Sequence, residues 1–148
     1  GGYINNAFNY ATEYDIYDEE TYAYQGMDAQ CKTSGLKPKV RVRFPGYSRP
    51  RSFDPHAVKK ELVKGPVAAS ISASSPIFKF YAMGIIDDLA LSGHNHMICN
   101  TGKINHVVTI VGWGRDENFS KDYFIIKNSF GTDWGQDGFA KIAVNNNE

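Results

Sequence analysis

Two segments hold the side chains whose types and spacing best suit chemistry. In INHVVTIVGWG, residues 104–114, an amide and an imidazole, Asn105 and His106, stand at the entrance of the run Val107 to Val111. That run is almost wholly β-branched and fits a pleated, well-packed surface. In YFIIKNSFGTDWGQDGFAKI, residues 123–142, an apolar strand ends at Asn128, with Phe130 and Trp134 close behind. An amide carbonyl can accept from one ring N–H of an imidazole and fix its tautomer. A neighbouring aromatic can shield that bond from water, leaving the other ring nitrogen to handle a proton. Each feature also has a structural reading: His106 as a hydrogen-bonded histidine at a strand end, and 128–134 as a turn with its aromatics in the core. Spacing alone leaves both open.

The remaining histidines offer less. His56 falls on the polar side of a capped helix, facing solvent. His94, His96 and Cys99 in HNHMIC lack a fourth ligand and a rigid frame, so the sequence assigns no metal site.

Positioning His106 and Asn128 requires strands, and the chain supplies them late. Ile4, Ala7, Phe8, Ala11 and Tyr14 form a helical stripe and predict a helix over 4–14. KPKVRVRFPG, residues 37–46, alternates Val40, Val42 and Phe44 against Arg41 and Arg43, a half-buried strand pattern. Those arginines, with Lys37, Lys39, Arg49 and Arg51, read as a solvated face, because no aromatic interleaving marks a nucleic-acid surface. In SFDPHAVKKELVKGP, Asp54 is placed to cap a helix and Pro55 to open it. Ala57, Val58, Leu62 and Val63 form its apolar stripe, and Gly65-Pro66 ends it. VAASIS, 67–72, reads as a strand and SPIFKFYAMG as a second Ser-Pro helix start. Residues 86–103 read as a long loop, and strands follow over 107–113, 123–127 and 139–144. The order is α+β, with a composition shift near Pro45-Gly46 dividing a helical piece, 1–45, from a β-rich piece, 46–148.

With 148 residues, 42% of them hydrophobic, the chain can bury a core as one domain or two small lobes. Its formal charge of zero gives no reason to expect nucleic acid or an anionic membrane as partner. No apolar run reaches the length of a membrane span. Cys31 and Cys99 can pair with each other, stay reduced, or bond to sulfur on another chain. Asn118-Phe119-Ser120 matches the N-glycosylation pattern. The opening enters a helix almost at once and reads as the interior of a longer protein.

NHVVTIVGWG, YFIIKNSFGTDWGQDGFAKI, GPVAASI, FYAMGI and the opening AFNYATEYDIYDEETYAYQG with its following cysteine occur here in one order and spacing. Together they resemble the papain-like cysteine proteases, the family of the lysosomal cathepsins, from residue 1 to about 144. The resemblance implies a two-lobed α+β fold, a helical left lobe against an antiparallel, β-barrel-like right lobe, with a cleft between them. It implies a peptidase with a Cys-His-Asn site and neither metal nor organic cofactor. His106 matches the catalytic histidine and Asn128 the asparagine that orients it. Trp134 matches the tryptophan on the leaving-group side, and Gly2 the glycine whose backbone pairs with extended substrate. Tyr3, Ile4, Ser70, Asn105 and Val107 fall at positions shaping the pocket for the second residue before the scissile bond. Phe130 stands where the family usually has tryptophan. It keeps an aromatic lid over the His–Asn bond but loses area and the indole N–H. The implied partners are peptide or protein substrates, the remaining N- and C-terminal segments of the enzyme, a propeptide and a cystatin-like inhibitor. The implied compartment is the lysosome or vacuole, or the outside of the cell.

Departures from the family pattern are as informative. Neither Cys31 nor Cys99 lies in the motif of the nucleophile. Family spacing puts that cysteine about 130–150 residues before the histidine, hence about 25–45 residues before Gly1. The glutamine of the oxyanion hole is expected upstream as well, and a further cysteine-bearing segment beyond Glu148. The resemblance pairs Cys31 with an upstream cysteine and Cys99 with a downstream one, against a Cys31–Cys99 bond. Loop 86–103, longer than in compact plant members, reads as a surface insertion near the cleft rim. The alternative function is a catalytically inactive homologue serving as a binding or structural module, against which the presence of both His106 and Asn128 argues.

Overall fold

The structure, a computed structural model, describes residues 2–32, 34–37, 41–87 and 104–144. It divides into two compact units, Gly1–Arg49 and Pro50–Glu148.

The first unit opens with helix α1, Ile4–Glu13, which begins after the extended Tyr3 without a side-chain cap. The predicted helix ran to Tyr14. That residue turns extended, although its N–H still bonds the Tyr10 carbonyl at 2.8 Å. Ala11 is buried on α1, and Phe8 packs against Phe44 and Tyr47 at ring-centroid distances of 6.2 and 5.1 Å. The expected strand over 37–46 shrinks to β2, Arg41–Val42, paired antiparallel with β1, Ile16–Tyr17; residues 38–40 lie outside the described set. Arg43 is more than a solvated charge. Its guanidinium donates to the Glu13 carbonyl at 2.7 Å and meets Asp15 at 3.5 Å, placing a cation at the C-terminal end of α1.

The second unit holds the main sheet. Helix α2, Pro55–Leu62, starts as the sequence predicts: Pro55 occupies its first turn, and the Asp54 carboxylate accepts from the Ala57 N–H at 3.0 Å. Val58 and Leu62 pack against the core. Val63 does not. It caps the helix and is 77% exposed, because the stripe runs out one residue before it. Strand β3, Val67–Ile71, leads to the short helix α3, Pro76–Lys79, capped by the Ser75 hydroxyl, which accepts from the Ile77 N–H at 3.2 Å. Strands β4, Ile85–Ile86, β5, His106–Asp116, β6, Lys121–Lys127, and β7, Phe139–Ala143, complete the unit.

The sheet order is β3-β5-β6-β7-β4, antiparallel throughout except for the parallel β4–β7 pair. Among the described residues this sheet stays open, with β3 and β4 at its edges, and does not close into a barrel. Ile86, expected in the long loop, is buried and paired with Ile142, and the adjacent Asp87 is ion-paired to Lys121. The rest of that loop, from residue 88 to 103, lies outside the described set. On β5, Val108 and Ile110 point into a core with Ile126, Ala140, Ile86, Phe78, Tyr81 and Trp134. A bulge between Ile110 and Gly112 then shifts the register with β6. Beyond it Gly114 faces Tyr123, whose hydroxyl would lie 2.6 Å from a Cβ at that position.

Candidate active site

His106 is the first residue of β5 and sits opposite Ile71 of β3. Strand β6 runs antiparallel beside it, with Lys127 opposite Thr109, so the residue after β6 reaches the same end of the sheet as His106. That residue is Asn128. Its backbone N–H is held by the Gly138 carbonyl at 2.9 Å, and its side-chain oxygen lies 2.7 Å from His106 Nε2.

The amide can point only one way. Asn128 Oδ1 also accepts from the Ser129 N–H at 2.8 Å, so reversing the amide would set its NH₂ against a backbone donor. With an acceptor fixed opposite Nε2, that nitrogen carries the proton, and Nδ1 of the neutral ring is left with a free lone pair. The orientation has a cost. Asn128 Nδ2 is buried and finds no partner among the described residues, a penalty of about 1–3 kcal/mol.

Aromatic rings wall the imidazole. Phe130 lies 5.0 Å from the His106 ring, centroid to centroid, and Phe78 meets it edge-on at 6.0 Å. Phe130 is 48% exposed, so it forms a partial lid open to solvent on one side. Trp134 is buried beneath, 5.8 Å from Phe130 and 5.2 Å from Phe78, and its indole N–H donates to the Phe78 carbonyl at 3.0 Å. Phe78 was not singled out as a site residue by the sequence. Its signal was present in the apolar run of IFKFY, but nothing local tells which of those rings turns toward the histidine.

Asn105, next to His106, spends its side chain on the segment after β3. Its Oδ1 accepts from the Ala73 N–H at 2.9 Å and its Nδ2 donates to the Ser74 hydroxyl at 2.6 Å, while its own N–H bonds the Ile71 carbonyl at 3.1 Å. Ser70 and Val107 are cross-strand partners and both are exposed, on the face opposite the core. The structure thus brings Ser70, Val107, Asn105, His106, Asn128, Phe130 and Trp134 into one unit. Gly2, Tyr3 and Ile4 belong to the other, at the start of α1, with Gly2 and Tyr3 exposed.

Cys31 is exposed on the wall of a cavity of about 310 Å³ lined also by Tyr10, Tyr17 and Tyr22, and forms no disulfide among the described residues. Cys99, His94 and His96 lie outside the described set, and His56 is exposed on α2. Among the described residues no three His, Cys, Asp or Glu side chains are placed to hold a metal ion. Asn118 sits exposed in the turn between β5 and β6, where its N–H and that of Phe119 bond the Asp116 carboxylate. No helix among the described residues is long and apolar enough to cross a membrane.

Comparison with known proteins bears on the family and the fold. Cathepsin K of Gallus gallus is 36% identical over 147 residues, covering 98% of this chain and 40% of the relative. The chain therefore spans about two fifths of the length of such curated relatives. A cysteine protease of Carica candamarcensis, solved in complex with E-64, superposes with a TM-score of 0.82 at 30% identity, over 100% of this chain and 62% of that one. The ragweed pollen allergen Amb a 11, a cysteine protease solved in its proform, gives a TM-score of 0.81 at 29% identity over 97% of this chain and 36% of its own. The family profile described as papain family cysteine protease matches residues 1–148, and the chain belongs to that family.

Proposed function

We propose that this chain provides the histidine–asparagine half of a peptide-hydrolysing site, with the nucleophilic thiol supplied by a segment outside the given sequence. The observation that carries this reading is the 2.7 Å contact between His106 Nε2 and an Asn128 oxygen whose direction is fixed by the Ser129 N–H. In that arrangement Nδ1 of His106 takes the thiol proton, and the imidazolium formed is stabilised by its bond to Asn128. The thiolate adds to the peptide carbonyl. The proton on Nδ1 then passes to the leaving amine, and a water deprotonated by the same nitrogen releases the acyl group from sulfur. Trp134 borders the leaving-group side. Ser70, Val107 and Asn105 bind the chain on the acyl side, and the resemblance gives Gly2, Tyr3 and Ile4 substrate-binding roles as well.

The same reading gives Cys31 and Cys99 disulfide partners outside this sequence, and the exposure of Cys31 beside the tyrosine-lined cavity supports its reach. It places the protein in the lysosome or vacuole, or outside the cell, made with a propeptide and open to cystatin-like inhibitors, with Asn118 as a glycosylation site. The test is labelling of the full-length protein by E-64 together with turnover of a peptide amide. Both are expected, and His106→Ala should lower kcat/KM by on the order of 1,000-fold or more, Asn128→Ala by less. A folded protein that neither binds E-64 nor cleaves peptides would instead be a binding module on the same scaffold.

A further inference from the structure

Trp134 and the residue after it rest against a side chain that the reaction does not use. Tyr81 follows α3 and is buried, and its ring lies 5.6 Å from the Trp134 ring, centroid to centroid. The Gly135 N–H donates to the Tyr81 carbonyl at 3.1 Å. Gly135 has φ +64°, and a Cβ there would stand 3.1 Å from the Tyr81 ring and 2.5 Å from the Phe139 carbonyl oxygen, so the backbone passes Tyr81 with no room to spare.

Tyr81 is itself tied to the sheet. Its hydroxyl donates to the Gly84 carbonyl at 2.7 Å and accepts from the Lys141 N–H at 3.4 Å. Gly84 leads into β4, and Lys141 pairs with Ile85 across the parallel β4–β7 ladder. Burial pushes the phenol above its ordinary pKa, which keeps the donating proton in place. Tyr81 is therefore a strut with one end in the sheet edge and the other against the Trp134–Gly135 backbone and ring. Trp134 in turn touches Phe130, which lies over His106.

We infer that Tyr81 is a positioning residue for the leaving-group side of the site: it holds the buried Trp134, and through it the half-exposed Phe130 ring over His106, at the height where that aromatic wall borders the departing part of a peptide. This rests on the peptidase reading above, in which Trp134 borders that side. Tyr81 touches no reacting atom, so its removal should leave acylation chemistry on a small leaving group largely intact. It should weaken recognition of residues beyond the scissile bond.

The experiment uses the full-length protein and two substrates with the same acyl part. One continues for two residues past the scissile bond, and the other ends in aminomethylcoumarin. Tyr81→Leu removes the ring and the hydroxyl tether. Its kcat/KM for the extended peptide should fall about tenfold further than for the coumarin amide, a modest fraction of what a 1 Å misplacement can cost. Tyr81→Phe keeps the ring and should restore the wild-type ratio to within about twofold. If Tyr81→Leu lowers both rates in parallel, it has only reduced the folded fraction, and the positioning role is overturned. An unmoved ratio, or a ratio that Tyr81→Phe fails to restore, overturns it too, while the peptidase reading stands. If the wild-type protein cleaves neither substrate and resists E-64, the peptidase reading falls and this role falls with it.

Discussion

The two units of the chain are built on different terms. The second has a continuous core in which Val108, Ile110, Ile126 and Ala140 of the sheet meet Phe78, Tyr81 and Trp134. In the first, Ala11 is the one buried hydrophobic side chain among the described residues, while Tyr3, Tyr24 and Met27 stand largely in solvent. Its one strand pair among the described residues is two residues long. A piece of this size rarely buries enough apolar surface to offset its chain entropy unaided. The lesson for function is direct. The His106–Asn128 pair is mounted on two long strands that fix each other, so its geometry is set within one unit. Gly2, proposed to pair with substrate backbone, belongs to the unit with the smaller buried core among the described residues.

That contrast can be broken by two truncations. Ile126 is almost fully buried beneath the sheet, and Ile126→Ala should cost about 2–5 kcal/mol in the urea-unfolding free energy of the full-length protein. Phe8 is only half-buried against Phe44 and Tyr47, and Phe8→Ala should cost about 1–2 kcal/mol. Equal losses would mean that the first unit is as tightly packed as the second and that the asymmetry is one of surface chemistry alone.

The same asymmetry decided what could be read from residues. Caps were legible because they are local. Asp54 and Ser75 stand directly before their helices, and their carboxylate and hydroxyl accept from the N–H groups three and two residues on. Strands β5, β6 and β7 were legible because their apolar runs are long. Two kinds of feature were not. The parallel pairing of Ile85–Ile86 with β7 is a two-residue element whose partner lies far along the chain, and no period marks it. The direction of the Asn128 amide is set by the Ser129 N–H, and a backbone donor is present at every non-proline position, so its role shows only in three dimensions. Asn105 shows a subtler limit. Its amide bonds Ala73 and Ser74 beside His106, a tie that neither its residue type nor its place in the sequence announces.

A smaller effect sharpens the picture of the second unit. Asp54→Ala removes the acceptor for the Ala57 N–H and should cost about 1 kcal/mol, read as a lower urea midpoint with an unchanged slope. Because α2 covers only one side of the core through Val58 and Leu62, the loss should stay local. Hydrogen exchange should quicken in α2 while the amides of β5 and β6 keep their protection. Equal acceleration in the sheet would show that α2 and the sheet open as one body.

The smallest effect concerns acid. Asp122 on β6 accepts from Arg115 at 2.8 Å and from Lys59 of α2 at 3.3 Å, joining the β5–β6 hairpin to the helix. The Arg115 hydrogen bond first, and Lys59 after it, hold the Asp122 carboxyl below the usual carboxylate range. In the unfolded chain those partners are gone and the carboxyl binds its proton at a higher pH. Between the two pKa values the unfolded state therefore carries more protons, and stability rises with pH. The contribution is fully present above the unfolded value, near pH 4, and is lost as the pH falls through the folded one. Asp122→Asn should lower the urea midpoint slightly at neutral pH and flatten its decline below about pH 4 relative to the parent. High salt should shrink the difference at neutral pH, since all three side chains reach solvent. A variant whose acid limb runs parallel to that of the parent would remove Asp122 from the set of groups that tie α2 to the sheet.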